Sequence, residues 1–264
     1  MKDLLKIKGL KVEFDSNGKR SVAVDGADLS LGENETVVLA GESGSGKTIT
    51  ALSITKILPK NAIITSGRID LDGVDLVGLD EASLTNIRGS RVAYIFQEPT
   101  SFLNPVYTIG EQITEVLKVH LREDGGKARS RAKELLAMVR ISDPEKTMLD
   151  FPHQLSGGMN QRVFIAMALA SAPKILIADE PTTSLDVTIE KQILGLLVEL
   201  KRELGFSLLF ITHNLSIARR IADRICVMYK GKIVEEGSRE SIFGSPKHAH
   251  TKELIRAYEK IGKI

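Results

Sequence analysis

A glycine-rich segment, GESGSGKT at residues 41–48, constrains this chain more than any other feature. The residues before it, TVVLA at 36–40, form a short apolar run typical of a strand buried on both faces. The residues after it predict a helix over 48–58 that ends at Pro59. The segment matches the pattern G-x-x-x-x-G-K-(S/T), and it lies between a predicted strand and a predicted helix, as this pattern does in phosphate-binding loops. The sequence therefore predicts a loop that binds the phosphates of a nucleoside triphosphate.

The residue types of this loop suit the chemistry of phosphate. Glycines let the backbone curl so that successive N–H groups converge on one anion. The helix that begins near Lys47 adds the positive end of its dipole. We expect Lys47 to contact the β- and γ-phosphates and the Thr48 hydroxyl to bind Mg²⁺. The residues expected to contact the nucleotide here are Gly41, Glu42, Ser43, Gly44, Ser45, Gly46, Lys47, Thr48 and Ile49.

Two acids end a second apolar run, KILIADE at residues 174–180. Open α/β sheets bind ligands at the carboxyl ends of their strands, which predicts a ligand edge here. We expect Asp179 to bind Mg²⁺ through water and Glu180 to polarise the attacking water, because adjacent strand residues point to opposite sides. The alternative is an ordinary solvated strand end. His213 follows the apolar run at 207–212 and is expected at the same edge, although a lone histidine is more often structural.

Strand and helix patterns alternate along the chain, which predicts an α/β fold with a mainly parallel sheet covered on both faces. Residues 4–14 and 21–31 predict an antiparallel layer before that sheet. Helical spacing over 110–140, with a polar break at 123–126, predicts a helical insert. Further predicted elements are a strand and turn at 69–79, strands at 91–96, 174–178, 207–212, 225–229 and 232–235, and helices at 157–171, 187–204 and 251–261.

Composition excludes several classes of protein. Lys and Arg total 36 against 34 Asp and Glu, and this balance argues against a dedicated nucleic-acid surface. The single cysteine, Cys226, cannot form an internal disulfide, lies in an apolar run and is expected to be a small buried side chain in a reducing compartment. No stretch reaches the length of a membrane span and no signal peptide is recognised at the N-terminus, so work at a membrane requires another subunit.

The segment LSGGM at residues 155–159 adds a second predicted anion site. A serine followed by two glycines at the start of a long helix leaves backbone N–H groups available to a phosphate. One nucleotide does not need two such helix starts from one chain. Two chains that face each other head to tail would use both, so the sequence indicates a dimer with shared sites.

Taken together, these motifs resemble the ABC-type ATPases over nearly the whole chain, in the expected order and spacing. The segment at 41–48 resembles the Walker A loop, YIFQEP at 94–99 the Q-loop, LSGGMNQR at 155–162 the family signature, ILIADEP at 175–181 the Walker B strand, and SLD at 184–186 the D-loop. His213 is similar to the switch histidine. Phe14 is either the aromatic residue that stacks on adenine or an ordinary core residue.

The resemblance implies a RecA-like P-loop NTPase core with an N-terminal antiparallel β layer and an inserted helical subdomain. The core would take residues 1–98 and 173–238, the helical subdomain 99–172 and a helical tail 239–264. It implies ATP and Mg²⁺ as ligands, with Thr48, Gln97 and Asp179 on the metal and Lys47, Glu180 and His213 in catalysis. The other residues that it places at the nucleotide are Gln97, Ser156, Gly157, Gly158 and Asp186.

A narrower resemblance is to importers of oligopeptides, dipeptides and nickel, on FQEPTSFLNPVYTIGEQITE, DEPTTSLDVT and GSPKHAHTKELIRA. It implies a second, identical or related ATPase subunit, and membrane permease subunits that dock near 97–105 and the helical insert. It also implies an external solute-binding protein and a location at the cytoplasmic face of the membrane. Two positions depart from that group: Asn160 replaces an arginine and Asn214 an aspartate, and activity is expected to survive both. The cysteines of longer members are missing, so no iron–sulfur cluster is expected.

Two other functions compete with the importer. One is an ABC-type ATPase that acts on nucleic acid or the ribosome, although no tandem unit, long coiled coil or zinc module is visible. The other is a catalytically silent regulatory subunit, against which Glu180 and His213 argue. The solute is not encoded in this chain, since the membrane subunits and the binding protein select it.

Overall fold

The computed structural model describes residues 3–16, 18–183 and 185–261, without the side chains of residues 99, 100, 260 and 261. The strands are β1 (Asp3–Ser16), β2 (Lys19–Gly32), β3 (Thr36–Ala40), β4 (Ala62–Leu71), β5 (Val74–Asp75), β6 (Val92–Ile95), β7 (Ile175–Asp179), β8 (Ser207–Thr212), β9 (Arg224–Tyr229) and β10 (Lys232–Ser238). The helices are α1 (Lys47–Ile54), α2 (Glu81–Thr85), α3 (Pro99–Phe102), α4 (Ile109–Leu121), α5 (Gly125–Met138), α6 (Pro144–Thr147), α7 (Gly157–Leu169), α8 (Val187–Leu204), α9 (Leu215–Ile221), α10 (Arg239–Gly244) and α11 (Ala249–Ile261), with a 3-10 turn at Pro152–Gln154.

The chain divides into two compact units, residues 1–85 with 207–264, and residues 86–206. The division of the sequence into a core at 1–98 and 173–238, a helical subdomain at 99–172 and a tail at 239–264 stays a prediction.

The first unit contains two layers of strands. The antiparallel layer has the order β2-β1-β4-β5, and its inward side chains, such as Leu5, Ile7 and Leu10, are fully buried. The other layer places β3 between β8 and β9, both parallel to it, with β10 antiparallel to β9. Every residue of β3 and β8 is buried, as expected of strands covered on both faces. The predicted antiparallel layer and parallel strands are thus both present.

In the second unit, β6 and β7 form a parallel pair among helices. Helix α4 begins at a capping box in which Thr108 and Glu111 exchange hydrogen bonds. It ends at Arg122, whose left-handed φ of 56° reverses the chain before α5. Two helices are therefore separated as predicted, but the break lies at 122–124 and not at 123–126, because Gly125 and Gly126 already belong to α5. Helix α8 ends at Gly205, where φ is 74°.

Two element boundaries differ from the sequence prediction by more than three residues. The helix after the glycine loop ends at Ile54 and not at Leu58, because Lys56 adopts a left-handed φ of 52° and its ammonium binds the carbonyls of Val77 and Leu79. The strand predicted from residue 69 begins at Ala62, since its first half pairs with β1.

Candidate functional site

The predicted phosphate loop connects the buried strand β3 to α1. Gly46 is the N-cap of α1 and has φ 109°, a backbone conformation that other residues rarely adopt. A Cβ atom at Gly41 would lie 2.2 Å from the carbonyl oxygen of Met228, so β9 approaches the loop too closely for any other residue. These two glycines therefore allow a backbone conformation that leaves the first N–H groups of α1 accessible to a ligand.

The ammonium of Lys47 lies inside this loop and not on the surface of the helix. Its Nζ donates to the carbonyl of Gly41 at 2.9 Å and to that of Glu42 at 2.8 Å, and the residue is only 5% exposed. A lysine is rarely buried to this extent unless its charge is paired with another group. The loop thus concentrates one positive charge and several backbone donors in a small volume.

Ser45 and Thr48 supply hydroxyl groups in the same loop. The hydroxyl of Ser45 is buried and has no hydrogen-bond partner within the part of the chain that the structure describes. A buried polar group without a partner is costly, so this hydroxyl fits an external acceptor such as a phosphate oxygen. Thr48, on the first turn of α1, is exposed. The loop therefore fits a phosphate group by its own chemistry.

The second unit brings an acidic strand end together with two residues of the β6 segment. Asp179 is the last residue of β7 and is 5% exposed. The hydroxyl of Tyr94 donates to Oδ2 of Asp179 at 2.8 Å. Burial raises the pKa of Tyr94 above its ordinary value, and the negative charge of Asp179 raises it further. The tyrosine therefore stays a protonated donor to this carboxylate.

Glu180 lies in a turn that follows β7, and not in the strand itself. Strand β7 ends at Asp179, and Glu180 has a left-handed φ of 45°, which corrects the expectation that the two acids alternate along one strand. Its Oε2 accepts from Oγ1 of Thr183 at 3.0 Å and from Nε2 of Gln97 at 3.5 Å. Gln97 and Glu180 are thus neighbours, as the resemblance implied for two residues of one site.

The signature segment starts α7. Ser156 is the N-cap, and its hydroxyl accepts from the backbone N–H of Met159 at 3.3 Å. Gly157 and Gly158 occupy the first helical positions, where backbone N–H groups have no partner within a helix. A Cβ at Gly158 would lie 2.9 Å from Ile189 of α8, so packing also requires this glycine. The helix start offers donors to an anion.

Asp186 has a structural role that the motif comparison did not predict. It is the N-cap of α8, and its Oδ1 accepts from the N–H groups of Thr188 at 3.0 Å and Ile189 at 2.9 Å. Its predicted contact with the nucleotide stays a prediction. Ser184, the first residue of this motif, lies outside the described residues.

The other predicted residues lie in the first unit. His213 directly follows β8 and is exposed. Phe14 is a half-buried residue of β1, opposite Ser21 of β2 and Ala62 of β4. Its contact with adenine stays a prediction.

The two residues that depart from the peptide-importer group both have clear partners. Asn214 is the N-cap of α9, and its side chain accepts from the N–H of Ser216 at 2.9 Å, as an aspartate would. Asn160 is buried, and its Nδ2 donates to the carbonyl of Pro152 at 3.0 Å. The Oδ1 atom of Asn160 is buried without a hydrogen-bond partner among the described residues, so its side chain is satisfied only in part.

Sequence reasoning missed the roles of Tyr94 and Thr183. It predicted the turn at Lys230–Gly231 between two strands but not the contact of this turn with the phosphate loop. The N–H of Gly231 donates to the carbonyl of Ser45 at 2.9 Å, so this turn supports the phosphate loop. The proximity of Thr183 to Glu180 in the sequence was the one available signal. The other two contacts join distant parts of the chain.

A phosphate loop after a buried strand, with a second buried strand that ends in an aspartate followed by a glutamate, defines the class of P-loop nucleotide-binding α/β proteins. A sequence model of the ABC transporter family matches residues 24–183, and the chain belongs to that family. It is 53% identical over 258 residues to the peptidoglycan transport ATP-binding protein YejF of Agrobacterium fabrum, a match that covers 97% of this chain and 47% of that protein.

One further relative and one solved structure extend the comparison. The oligopeptide transport ATP-binding protein OppD of Bacillus subtilis is 47% identical over 253 residues, which cover 96% of this chain and 71% of that protein. A solved structure described as a dimeric, post-hydrolysis state of the ATP-binding cassette MJ0796 bound to ADP and Pi has a TM-score of 0.78 and 31% identity, covering 89% of this chain and 98% of that one. The RecA-like α/β fold predicted from the motifs is therefore confirmed. Among the described residues, no helix is long and apolar enough to cross a membrane.

Proposed function

We propose that this chain is the ATP-hydrolysing subunit of an importer of peptides. The observation that carries the proposal is the loop in which the buried ammonium of Lys47 and the unpartnered hydroxyl of Ser45 converge. Both groups suit phosphate, since one supplies a positive charge and the other a hydroxyl that can donate to a phosphate oxygen. Peptides are favoured over nickel because relatives are named for transport of peptidoglycan and oligopeptides.

The residues available to a magnesium ion fit its chemistry. Mg²⁺ prefers oxygen ligands and is usually bound by one or two carboxylates together with substrate phosphates. Thr48, Gln97 and Asp179 offer a hydroxyl, an amide oxygen and a carboxylate. Within the described residues, no group of three or more His, Cys, Asp or Glu could hold a metal ion. When bound, the ion would neutralise charge on the phosphates.

Hydrolysis requires a water molecule in line with the terminal phosphate. Glu180 is the proposed base, because Thr183 and Gln97 fix its carboxylate in a turn. His213 is proposed to contact the γ-phosphate, and Lys47 to stabilise the charge of the transferred group. Phe14 is proposed to stack on adenine. The rate gain would come from position and charge and not from a covalent intermediate.

A second ATPase subunit is proposed to complete the site. The start of α7, with the hydroxyl of Ser156 and the N–H groups of Gly157 and Gly158, would bind the γ-phosphate of a nucleotide held by the opposite subunit. Asp186 would lie at the same boundary. Closing and opening of such a dimer would move permease subunits docked near residues 97–105, at the cytoplasmic face of the membrane, and an external binding protein would deliver the solute.

The Glu180→Gln variant tests this proposal. It should bind ATP and associate into dimers, while steady-state hydrolysis falls by at least about 100-fold, the usual contribution of a general base. Sedimentation velocity with ATP and a phosphate-release assay measure both properties. The control is Glu199→Gln, which alters a surface carboxylate that pairs with Arg140. Hydrolysis at the wild-type rate in Glu180→Gln would refute the assignment.

The nucleic-acid alternative makes a separate prediction. A protein of that class binds DNA or RNA with an affinity that falls steeply with salt. We expect no binding at moderate salt, consistent with 36 basic against 34 acidic residues. The transport family of the relatives also favours the importer.

A further inference from the structure

Tyr94 lies beside the strand that carries the proposed magnesium ligand. It occupies β6, where it pairs with Ile177 of the parallel strand β7, two residues before Asp179. From this position its hydroxyl reaches Oδ2 of Asp179 at 2.8 Å. The contact is therefore fixed by the backbone pairing of two strands and not by a flexible loop.

The ring of Tyr94 is fixed from the other side by aromatic packing. Its centroid is 4.4 Å from that of Phe96, which in turn stacks on Phe102 with the centroids 4.0 Å apart. Aromatic pairs at these distances restrict ring rotation and add to stability. The hydroxyl therefore has little freedom to leave Asp179.

We propose that Tyr94 is a positioning residue for Asp179, and that its hydroxyl fixes the orientation of this carboxylate for binding a hydrated divalent cation. The inference rests on the proposed function, because it takes Asp179 as a magnesium ligand. Carboxylates that bind metals are commonly oriented by hydrogen bonds from neighbouring groups, and loss of such a bond weakens metal binding. A bond that merely satisfied a buried carboxylate would contribute to folding and leave the metal unaffected.

The Tyr94→Phe variant separates these roles, because it removes the hydroxyl and keeps the ring. The probe is Mn²⁺, titrated by electron paramagnetic resonance into the chain saturated with ADP. We expect the dissociation constant of Mn²⁺ to rise about tenfold. The affinity for ADP in EDTA should equal that of the wild type. The matched control is Tyr107→Phe, which removes the same hydroxyl from an exposed tyrosine of the same unit.

A double variant provides the second measurement. In an Asp179→Asn background, Tyr94→Phe should cause no further change in the Mn²⁺ constant, because the hydroxyl acts through the carboxylate. Additive losses in the double variant would overturn the proposal. So would an unchanged Mn²⁺ constant in Tyr94→Phe, or an equal loss of metal-free ADP affinity.

The same titration separates failure of this inference from failure of the proposed function. If Asp179→Asn weakens Mn²⁺ binding and Tyr94→Phe does not, only the role of Tyr94 is wrong. If the wild-type chain with ADP binds Mn²⁺ no better than Asp179→Asn, Asp179 is not a metal ligand, and this inference falls together with the proposed magnesium site, whereas ATP binding and hydrolysis by the wild type test the proposed function itself.

Discussion

The backbone N–H of Gly231 donates a hydrogen bond to the carbonyl oxygen of Ser45 at 2.9 Å. This bond joins the turn between β9 and β10 to the centre of the phosphate loop. The carbonyl of Gly231 accepts in turn from the N–H of Asp25 on β2. One turn thus links the loop to both strand layers of the first unit. Because the carbonyl of Ser45 is bonded to this turn, the N–H groups of the loop remain available to a ligand.

Gly46 should not tolerate a side chain. Its φ of 109° is strained for alanine, and a Cβ would lie 2.6 Å from the carbonyl oxygen of Ala23 and 2.8 Å from the methyl group of Met228. We expect Gly46→Ala to lower the free energy of unfolding by about 3 kcal/mol, from strain and crowding together, and to abolish nucleotide binding. Urea denaturation and ATP titration measure the two effects.

Gly73→Ala is the matched control for this variant. Gly73 has a similar φ of 88° but open space where a Cβ would stand. It should lose about 1 kcal/mol from backbone strain alone and bind ATP normally. Equal destabilisation in both variants would show that crowding by Ala23 of β2 and Met228 of β9 does not constrain the loop.

Lys47→Met should weaken ATP binding with a smaller effect on folding. The ammonium would lose its contact with phosphate, and hydrogen bonds to charged groups contribute about 1.5–3 kcal/mol, or roughly 10- to 100-fold in the dissociation constant. The control is Lys56→Met, since the ammonium of Lys56 also binds two backbone carbonyls, those of Val77 and Leu79, away from the loop. Isothermal titration should find normal ATP affinity in the control. Equal affinities in the two variants would contradict the role of Lys47.

Thr183→Val should slow hydrolysis without affecting ATP binding. Its hydroxyl donates to Oε2 of Glu180 at 3.0 Å, so its loss frees the carboxylate to rotate. We expect kcat to fall about tenfold, the value of one hydrogen bond to a charged group, while KM for ATP is unchanged. The neighbouring Thr182→Val, which alters a contact with Glu190 at 3.4 Å, is the control. A change in KM with constant kcat would argue against this role.

Ser156→Ala should combine a loss of stability with a loss of activity. An N-cap serine contributes about 1 kcal/mol to the helix that it begins. Ser238 caps α10 in the same way, through the N–H of Ser241 at 3.2 Å, so Ser238→Ala should cost a similar amount. Only Ser156→Ala should reduce ATP hydrolysis, by about tenfold. If both variants hydrolysed ATP equally well, Ser156 would be a helix cap and nothing more.

The order of elements could be predicted from the sequence because each motif is local. The loop at 41–48 is recognised by the spacing of its glycines, and the strands that end at 179 and 212 are recognised as short apolar runs followed by polar residues. The first half of β4 was missed because most of its side chains are exposed, and it is held by backbone pairing with β1 that leaves no apolar alternation. The end of α1 was missed because the carbonyls that bind Lys56 lie more than 20 residues away.

The site was predictable by residue type and less so by geometry. The sequence predicted Asp179 and Glu180 as site residues, and these roles stay predictions, but a hydrogen bond from Tyr94, 85 residues earlier, has no local pattern. The left-handed φ of Glu180 was equally hidden, because glutamate carries no propensity for that conformation.

Two turns of this chain look alike in the sequence and differ in what can be attached to them. Asp72–Gly73 and Lys230–Gly231 both have left-handed φ angles at both residues. A Cβ at Gly73 would meet no atom within 4 Å, whereas a Cβ at Gly231 would approach the carbonyl of Ala23 to 3.0 Å. A fluorophore or affinity tag therefore belongs at the first turn, because at the second it would disturb a turn that is hydrogen-bonded to the phosphate loop.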